Sequence, residues 1–238
     1  MTGVTHNKDA FLNKIAESLG RERRSTGVTK PVWKKQPQFD VFKGENQDEL
    51  VKRLEEQCKR IHTRFEKATT ETLPRVLQDV IDLYEGEKII NWEDPRFEEF
   101  GLTPLFQTLG DAGKSIHFWD KEKGKENISI AEQADIGITF SDMTLAESGT
   151  VVLLSKSEKG RSVSLLPTSY IAIIPKSTVV PRMTQATTML HKLAQEEGQF
   201  PSCVNFISGP SNSADIEMKL VVGVHGPIRA CYIIVEDK

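Results

Sequence analysis

Residues Ala134–Leu154 read ADIGITFSDMTLAESGTVVLL, and this stretch decides which class of fold the chain adopts. One apolar run of strand length, Ile136–Phe140, lies within it, and a second, Gly149–Ser155, ends one residue beyond it; both are rich in the Ile, Val, Phe and Thr residues that strands favour. A polar turn joins the two runs. Because neither run alternates strictly between apolar and polar residues, we expect both faces of the sheet to be covered.

The same pattern of short apolar runs continues through the chain beyond Gly86. Further strands are predicted at Lys88–Trp92, Ser115–Trp119, Ser169–Ile174, Cys203–Ser208 and Ala230–Val235. Helices are predicted between several of them, at Pro95–Phe100, Asn127–Ala134, Met183–Glu197 and Ala214–Leu220. Strands that alternate with helices are typical of an α/β fold, so we predict a three-layer, mostly parallel sheet with helices on both faces.

The first third of the chain differs from the rest and is predicted to be helical. We predict a helical N-terminal region over residues 1–70, with an extended arm at 25–44, and an α/β domain over 71–238. The arm contains Gly, Pro, Lys and Gln without periodicity, which is typical of irregular structure. A homodimer in which this region crosses onto a second subunit is a further expectation.

Apolar residues spaced three and four apart predict three helices in or next to this region. The first covers Phe11–Leu19 and the third covers Leu73–Tyr84. The second begins at Asn46, because Glu49 lies three residues further on, as in a capping box. Its apolar face is predicted to extend to Phe65.

The charge balance and the apolar pattern give no support for nucleic acid or a membrane as a partner. The chain carries 31 basic and 34 acidic residues, so its charge offers no general argument for binding nucleic acid or an anionic membrane. Its apolar runs are far shorter than the roughly 20 residues of a membrane-spanning helix. The first residues are polar, unlike a signal peptide. We therefore predict a cytoplasmic protein without a membrane span.

Metal and cluster sites are not expected on this chain. Its three cysteines, Cys58, Cys203 and Cys231, are far apart in sequence, and no pair has the close spacing of a zinc or iron–sulfur site. Cys58 belongs to a helical pattern and Cys231 to a strand pattern, so both are predicted to be buried thiols in a reducing compartment.

The polar turn of the opening stretch is the first candidate site. Ligand sites in open α/β sheets lie where strands end, and Thr139 ends one strand while Ser148 and Gly149 open the next. Gly149 lacks a Cβ and would let a ligand approach the backbone. Glu147 could act there as a base, a nucleophile or an acceptor for a ligand donor. Alternatively, Glu147 pairs locally and Gly149 only eases a tight turn.

Residues Ser208–Pro227, SGPSNSADIEMKLVVGVHGP, form the second candidate site. Gly209 begins a turn, and three polar residues then crowd a predicted helix start, where free backbone N–H groups would attract an anion. Asp215 and Glu217 either complement the helix dipole or hold His225 or a cationic ligand group. The candidate ligand-binding residues of this stretch are Gly209, Ser211, Asn212, Ser213, Asp215, Glu217 and Gly226.

Two further side chains are candidates from their chemistry. His225 lies in a turn before a Gly-Pro pair, and with Glu147 it is a candidate catalytic residue, although a single histidine can equally be satisfied by a backbone partner. Arg161 lies in a polar loop and could clamp a carboxylate or phosphate with its guanidinium group. The alternative for Arg161 is a solvated loop arginine.

Both quoted stretches closely resemble the LutC/YkgG family of lactate utilization proteins, which carries a LUD domain. The N-terminal segment NKDAFLNKIAESLGR, residues 7–21, and the PVWK segment, residues 31–34, resemble the same family. The resemblance therefore covers essentially the whole chain. It implies a fold like that of the NagB/RpiA/CoA-transferase group, in agreement with the predicted sheet.

The resemblance also implies a function in the oxidation of L-lactate to pyruvate. Members of the family act beside two iron–sulfur proteins, lactate utilization proteins A and B, so the clusters are expected on these partners and no cofactor is expected on this chain. A small carboxylate is the expected ligand. Whether the chain is itself an enzyme stays open, because the resemblance implies only a subunit or accessory component of an L-lactate dehydrogenase-type system.

A second function class stays open beside this one. The triplet Glu147-Ser148-Gly149 is similar to the Glu-x-Gly of CoA transferases, whose glutamate is a nucleophile. The alternative is therefore an independent acyl or CoA transferase, or a ligase-like enzyme, that uses Glu147.

Overall fold

The computed structural model describes residues 6–29, 31–196, 200–215 and 217–238. The chain divides into two compact units, one that ends at Pro37 and one that begins at Gln38. The predicted domain boundary after residue 70 stays a prediction. The second compact unit already includes the helix and the strand that precede residue 70.

The first unit contains helix α1, Lys8–Ser18, as the apolar spacing predicted. Arg23 folds back onto this helix, where its guanidinium lies 2.7 Å from the carboxylate of Asp9 and donates to the side chain of Asn13. The described part of the predicted arm is irregular apart from a single 3₁₀ turn, Pro37–Phe39.

The second unit alternates strands and helices. Its helices are α2 Gln47–Arg60, α3 Leu73–Leu83, α4 Arg96–Glu99, α5 Thr103–Asp111, α6 Glu126–Glu132, α7 Ser162–Leu165 and α8 Met183–Glu196. Its strands are β1 Arg64–Ala68, β2 Lys88–Asn91, β3 Ser115–Phe118, β4 Ile136–Phe140, β5 Met143–Leu145, β6 Thr150–Leu154, β7 Ser169–Pro175, β8 Val179–Val180, β9 Val204–Ile207, β10 Asn212–Ser213, β11 Val221–Val222 and β12 Arg229–Val235.

Six of these strands form a parallel sheet in the order β1-β12-β7-β4-β2-β3. Strands β4 and β7 are buried along their whole length, as expected for a sheet covered on both faces. Gly137 in β4 packs against the carbonyl of Val163 in α7, while the neighbouring Ile136 contacts Gly86, just beyond α3. Since adjacent residues of a strand point to opposite faces, helices cover both faces, and the α/β prediction is confirmed.

A second sheet has the order β8-β5-β6-β9 and was not predicted. Strands β5 and β6 form an antiparallel hairpin, and β9 pairs antiparallel with β6. The turn between β5 and β6 is too short for the crossover that a parallel pair requires, so these strands leave the main sheet. The candidate turn with Glu147 is therefore the tip of a hairpin in the second sheet.

Two predictions for individual elements are wrong. Residues 214–220 were predicted to be a helix, but strands β10 and β11 form a short antiparallel pair around them, and Ser211–Ser213 therefore do not start a helix. Phe65 was placed on the face of the second helix, but α2 ends at Arg60 and Phe65 lies in β1. His62 stops the helix with a φ of 55°, and the Thr63 N–H bonds to the Cys58 carbonyl, a Schellman-type ending that here lacks the usual glycine.

The other predicted elements of the second unit lie close to their predicted positions. Besides the pair β10 and β11, the structure adds β1, α5, β5, α7 and β8, which were not predicted. The predicted end of the last long helix at Glu197 lies outside the described residues. Among the described residues, no helix has the length and apolar character that crossing a membrane requires.

Candidate functional site

The tip of the β5–β6 hairpin is built around Gly149. Its φ is +64° and its N–H bonds to the Leu145 carbonyl at 3.0 Å. A Cβ at this position would come within 2.6 Å of the Cδ1 atom of Ile61, at the end of α2. Both the left-handed backbone and the contact with Ile61 require glycine here, so the missing Cβ serves the turn and the packing of α2.

Glu147 projects from this tip into a cavity of about 190 Å³, which we call the Glu147 cavity. The carboxylate accepts a hydrogen bond from Nε of Arg182 at 2.7 Å, across 35 positions of sequence. The residues that line the cavity are Phe42, Arg53, Glu56, Gln57, Arg60 and Glu147. Arg53 stacks on the ring of Phe42 and pairs with Glu45.

Three hydroxyl groups connect this hairpin to the second candidate stretch. Ser148 Oγ lies 2.6 Å from Thr150 Oγ1, which in turn lies 2.6 Å from Ser208 Oγ. The two stretches that were singled out from sequence therefore touch each other. Ser208 opens into a second cavity, and Glu147 does not line that cavity.

This second cavity has a volume of about 270 Å³ and is called the His225 cavity. It brings together five of the predicted residues, Gly209, Ser211, Asn212, His225 and Gly226. Its remaining lining residues are Ser164, Leu165, Tyr170, Phe206, Ile207, Ser208, Pro210 and Pro227. The candidate catalytic residues Glu147 and His225 thus belong to different cavities.

Hydrogen bonds hold the walls of the His225 cavity in place. The Gly209 N–H donates to the hydroxyl of Tyr232, which itself donates to the Ile207 carbonyl, both at 3.0 Å. The Ser211 N–H donates to the Pro227 carbonyl at 2.8 Å, and Ser211 Oγ accepts the N–H of His225 at 3.2 Å. The loop before β12 is therefore tied to the loop after β9.

Gly209 is required by packing in the same way as Gly149. Its φ is +70°, and a Cβ would come within 2.6 Å of both the Ile61 carbonyl oxygen and Thr63 Oγ1. The end of α2 therefore packs against both glycines, one at the hairpin tip and one at the start of the Ser208–Pro227 stretch.

The remaining predicted residues lie outside both cavities. Ser213 donates to the carboxylate of Asp215 at 2.7 Å, and Glu217 pairs with Lys219, so the described contacts of these acids are local rather than with His225. Their predicted interaction with a helix dipole is wrong, because no helix begins there.

Thr139 and Arg161 occupy contrasting environments. Thr139 is completely buried, and its hydroxyl lies 2.7 Å from that of Tyr170, which places it beneath the wall of the His225 cavity. Arg161 is exposed immediately before α7, as the alternative of a solvated loop arginine describes.

Sequence reasoning missed a cluster of four charged residues at the carboxyl ends of β2 and β4. Arg96 pairs with Asp94 at 2.6 Å and with Asp142 at 3.1 Å, and Lys159 pairs with Asp94 at 2.7 Å. Asp142 also accepts the Leu154 N–H of β6 at 2.8 Å. The cluster lies where the strand order reverses between β2 and β4, a position that only the order of the strands reveals.

Asp94, the most buried acid of this cluster, is strongly held in its charged form. Burial acts to raise the pKa of Asp94, whose side chain is only 2% exposed. The hydrogen bonds and charges of Arg96 and Lys159 outweigh this effect and lower the pKa to about 2. Asp94 is thus charged near neutral pH, and the ion pairs of the cluster join the loops after β2, β4 and β6.

The buried cysteines have little thiolate character. Burial raises the pKa of the Cys58 thiol to about 12 and also raises that of Cys231. Within the described part of the chain, no group of three or more His, Cys, Asp or Glu side chains is arranged to hold a metal ion.

Comparison with known proteins places these features in a family. The profile of the LUD domain matches residues 51–235, from α2 to the end of β12. This chain belongs to the LUD domain family. The matched residues include both cavities' main walls and the charged cluster, so these features lie within the LUD domain.

Relatives of this LUD domain protein match over nearly their full length. "Lactate utilization protein C" of Geobacillus sp. (strain WCH70) is 54% identical over 238 residues, 100% of this chain and 99% of the relative. The protein of the same name from Halalkalibacterium halodurans is 56% identical over 235 residues, 99% of this chain and 100% of the relative. That of Bacillus subtilis (strain 168) is 52% identical over 237 residues, 99% of each.

The fold also occurs in a solved structure. A DUF162 family protein from Deinococcus radiodurans is similar with a TM-score of 0.57 at 16% sequence identity. The similarity covers 81% of this chain and 99% of that chain. At this level of identity the similarity concerns the α/β fold.

Proposed function

We propose that this chain is a cytoplasmic component of an L-lactate utilization system and supports the oxidation of L-lactate to pyruvate. The observation that carries the proposal is the full-length similarity to proteins named lactate utilization protein C, at 52–56% identity. The chain acts with the iron–sulfur lactate utilization proteins A and B, which hold the redox clusters, and carries no redox cofactor of its own.

A small carboxylate ligand is proposed to bind in the Glu147 cavity. Arg53 and Arg60 line this cavity, and guanidinium groups bind carboxylates with two parallel hydrogen bonds. Arg60 is exposed, whereas Arg53 is already paired with Glu45. We therefore assign the primary contact with the carboxylate to Arg60.

The proposal is tested by lactate-dependent electron transfer, measured with both iron–sulfur partners in the presence and absence of this chain. We expect the rate to depend on the chain and to fall in an Arg60→Ala variant. Lys125→Ala, an exposed position before α6, is the matched control and should leave the rate unchanged. Normal growth on lactate after deletion of the gene would contradict the proposal.

A second candidate is an acyl or CoA transferase, or a ligase-like enzyme, that uses Glu147 as its nucleophile. The favouring observation is a partly exposed carboxylate that Arg182 holds in a fixed orientation at the edge of a cavity. Incubation with an acyl-CoA followed by mass spectrometry of the intact chain would detect a covalent adduct on Glu147. Full activity of a Glu147→Gln variant would remove the basis of this candidate.

A further inference from the structure

The His225 cavity differs in chemistry from the Glu147 cavity. Its described lining residues include no lysine, arginine, aspartate or glutamate. Much of the wall is apolar, formed by Leu165, Phe206 and Ile207 together with Tyr170. Such a lining offers no permanent positive charge to balance an anion, so an ionised carboxylate would lose hydration without a cation to pair with.

The polar groups of the cavity are neutral hydrogen-bonding groups. Ser208 and Ser211 contribute hydroxyls and Asn212 contributes an amide, each able to donate or accept. His225 is exposed, and its backbone N–H rather than its ring is tied to Ser211, so the imidazole is available as a further donor or acceptor. A few neutral polar groups within an apolar wall are typical of sites for uncharged small molecules.

The apolar wall extends to the protein surface. The side chains of Leu165 and Phe206 both line the cavity and are each 39% exposed. Exposed apolar side chains around a concave surface often mark a binding face. The hydrogen bonds of Gly209, Ser211 and Tyr232 hold this face in position before any ligand arrives, which lowers the entropy cost of binding.

We propose that the His225 cavity binds an uncharged planar ring that carries a carboxamide or carbonyl group. The ring lies against Phe206 and Leu165, and its polar group bonds to Ser208, Ser211 or Asn212. The volume of about 270 Å³ suits a single ring rather than a large fused system. This site goes beyond the proposed role in lactate utilization, whose carboxylate is assigned to the Glu147 cavity.

The test uses nicotinamide and nicotinate, two probes with the same ring that differ in charge. Each is titrated into the full-length chain at about pH 8, where most imidazoles are neutral, and binding is followed by NMR shifts of labelled protein. We expect nicotinamide to bind at least about tenfold more tightly than nicotinate and to shift residues of the His225 cavity. Equal or tighter binding of nicotinate, or no binding of nicotinamide, would overturn the proposal.

Variants of Phe206 locate the site. Phe206→Glu places a charge on the apolar wall and should weaken nicotinamide binding by about tenfold or more, whereas Phe206→Leu keeps the wall apolar and should change it less than about threefold. Melting temperatures of both variants confirm that they are folded. Arg60→Ala, in the other cavity, is the control and should bind nicotinamide like the unchanged chain. Undiminished binding by a folded Phe206→Glu variant contradicts the assignment.

The same variants separate this proposal from the lactate proposal. Ring binding that persists in Arg60→Ala, while lactate-dependent electron transfer is lost, supports two separate ligand sites. Selective ring binding by a chain that has no effect on lactate oxidation would leave this site standing and refute only the proposed function. Lactate-dependent activity without ring binding would refute only this site.

Discussion

Asp94 is the most buried residue of the charged cluster. Its pKa is lowered from 3.8 to about 2, and Arg96 and Lys159 are the cause. A carboxylate with a lowered pKa stabilises the fold above the pKa of the unfolded chain, and this contribution is lost as the pH falls through the folded value. The relevant window therefore lies between about pH 4 and pH 2.

Replacing Asp94 by Asn tests this contribution. We expect the free energy of unfolding at pH 7 to fall by about 2 kcal/mol, because the charge interactions with Arg96 and Lys159 are lost. The difference between the variant and the unchanged chain should shrink by roughly half at about pH 3. At that pH Asp94 is largely protonated in the unfolded chain but still mostly charged in the folded chain. Urea unfolding at both pH values measures the effect. A difference that does not vary with pH would show that the charge of Asp94 is not its cause.

Alanine variants of Gly149 and Gly101 separate two contributions to the loss of unfolding free energy, a steric contact with Ile61 and a left-handed backbone angle. Gly149→Ala combines a φ of +64° with a close approach to Ile61, whereas Gly101→Ala has a φ of +70° with nothing within 4 Å of the new Cβ. We expect Gly101→Ala to lower the free energy of unfolding by about 1 kcal/mol. Gly149→Ala should cost about 1 kcal/mol more, because Ile61 must move. An equal loss of unfolding free energy in the two variants, measured with urea, would show that Ile61 moves aside without a measurable cost.

Helix α2 is the element on which the candidate site rests, because its end contacts both Gly149 and Gly209. Its start is held by a complete capping box, in which Asn46 accepts the Glu49 N–H and Glu49 accepts the Asn46 N–H. A frayed start would loosen the helix that supports both cavities.

Asn46→Ala should therefore lower the free energy of unfolding by about 1 kcal/mol, the usual value of a lost N-cap. Lys125→Ala is the matched control, since Lys125 precedes α6 without a side-chain cap bond. Chemical unfolding of both variants measures the difference, and hydrogen exchange should show faster exchange in the first turn of α2. An unchanged Asn46→Ala variant would contradict the role of the box.

At the scale of the whole molecule, the division between Pro37 and Gln38 leads to a prediction about the stability of a shortened chain. All the described strands belong to the second unit, so a chain that begins at Gln38 should keep its fold and melt within about 3 °C of the full chain. Calorimetry tests this expectation. A much lower melting temperature would show that the first unit stabilises the second.

The homodimer stays a prediction and is tested with the same two chains. If the N-terminal region crosses onto a second subunit, light scattering should give twice the chain mass for the full protein and a single chain mass for the chain that begins at Gln38. Equal oligomeric states of the two chains would remove the N-terminal region as the cause.

The sequence predicted most elements where one local signal was strong. The apolar run Ile136–Phe140 becomes strand β4 residue for residue, and the Asn46 capping box starts α2 as expected. Prediction failed where the signal was ambiguous. Three polar residues before 214–220 resembled a helix start, but Ser213 bonds to Asp215 within a β-paired loop. The end of α2 was missed because His62 takes a backbone angle usually left to glycine.

The sequence by itself determined the α/β class, the capped start of α2 and the two polar stretches, because these depend on the spacing of nearby residues. Only the tertiary structure decided that Glu147 pairs with Arg182, that Arg96 pairs with both Asp94 and Asp142, and that Glu147 and His225 face separate cavities. These relations depend on strand order and on a hairpin that leaves the main sheet. Contacts between distant segments follow from that topology, and no local pattern of residues encodes it.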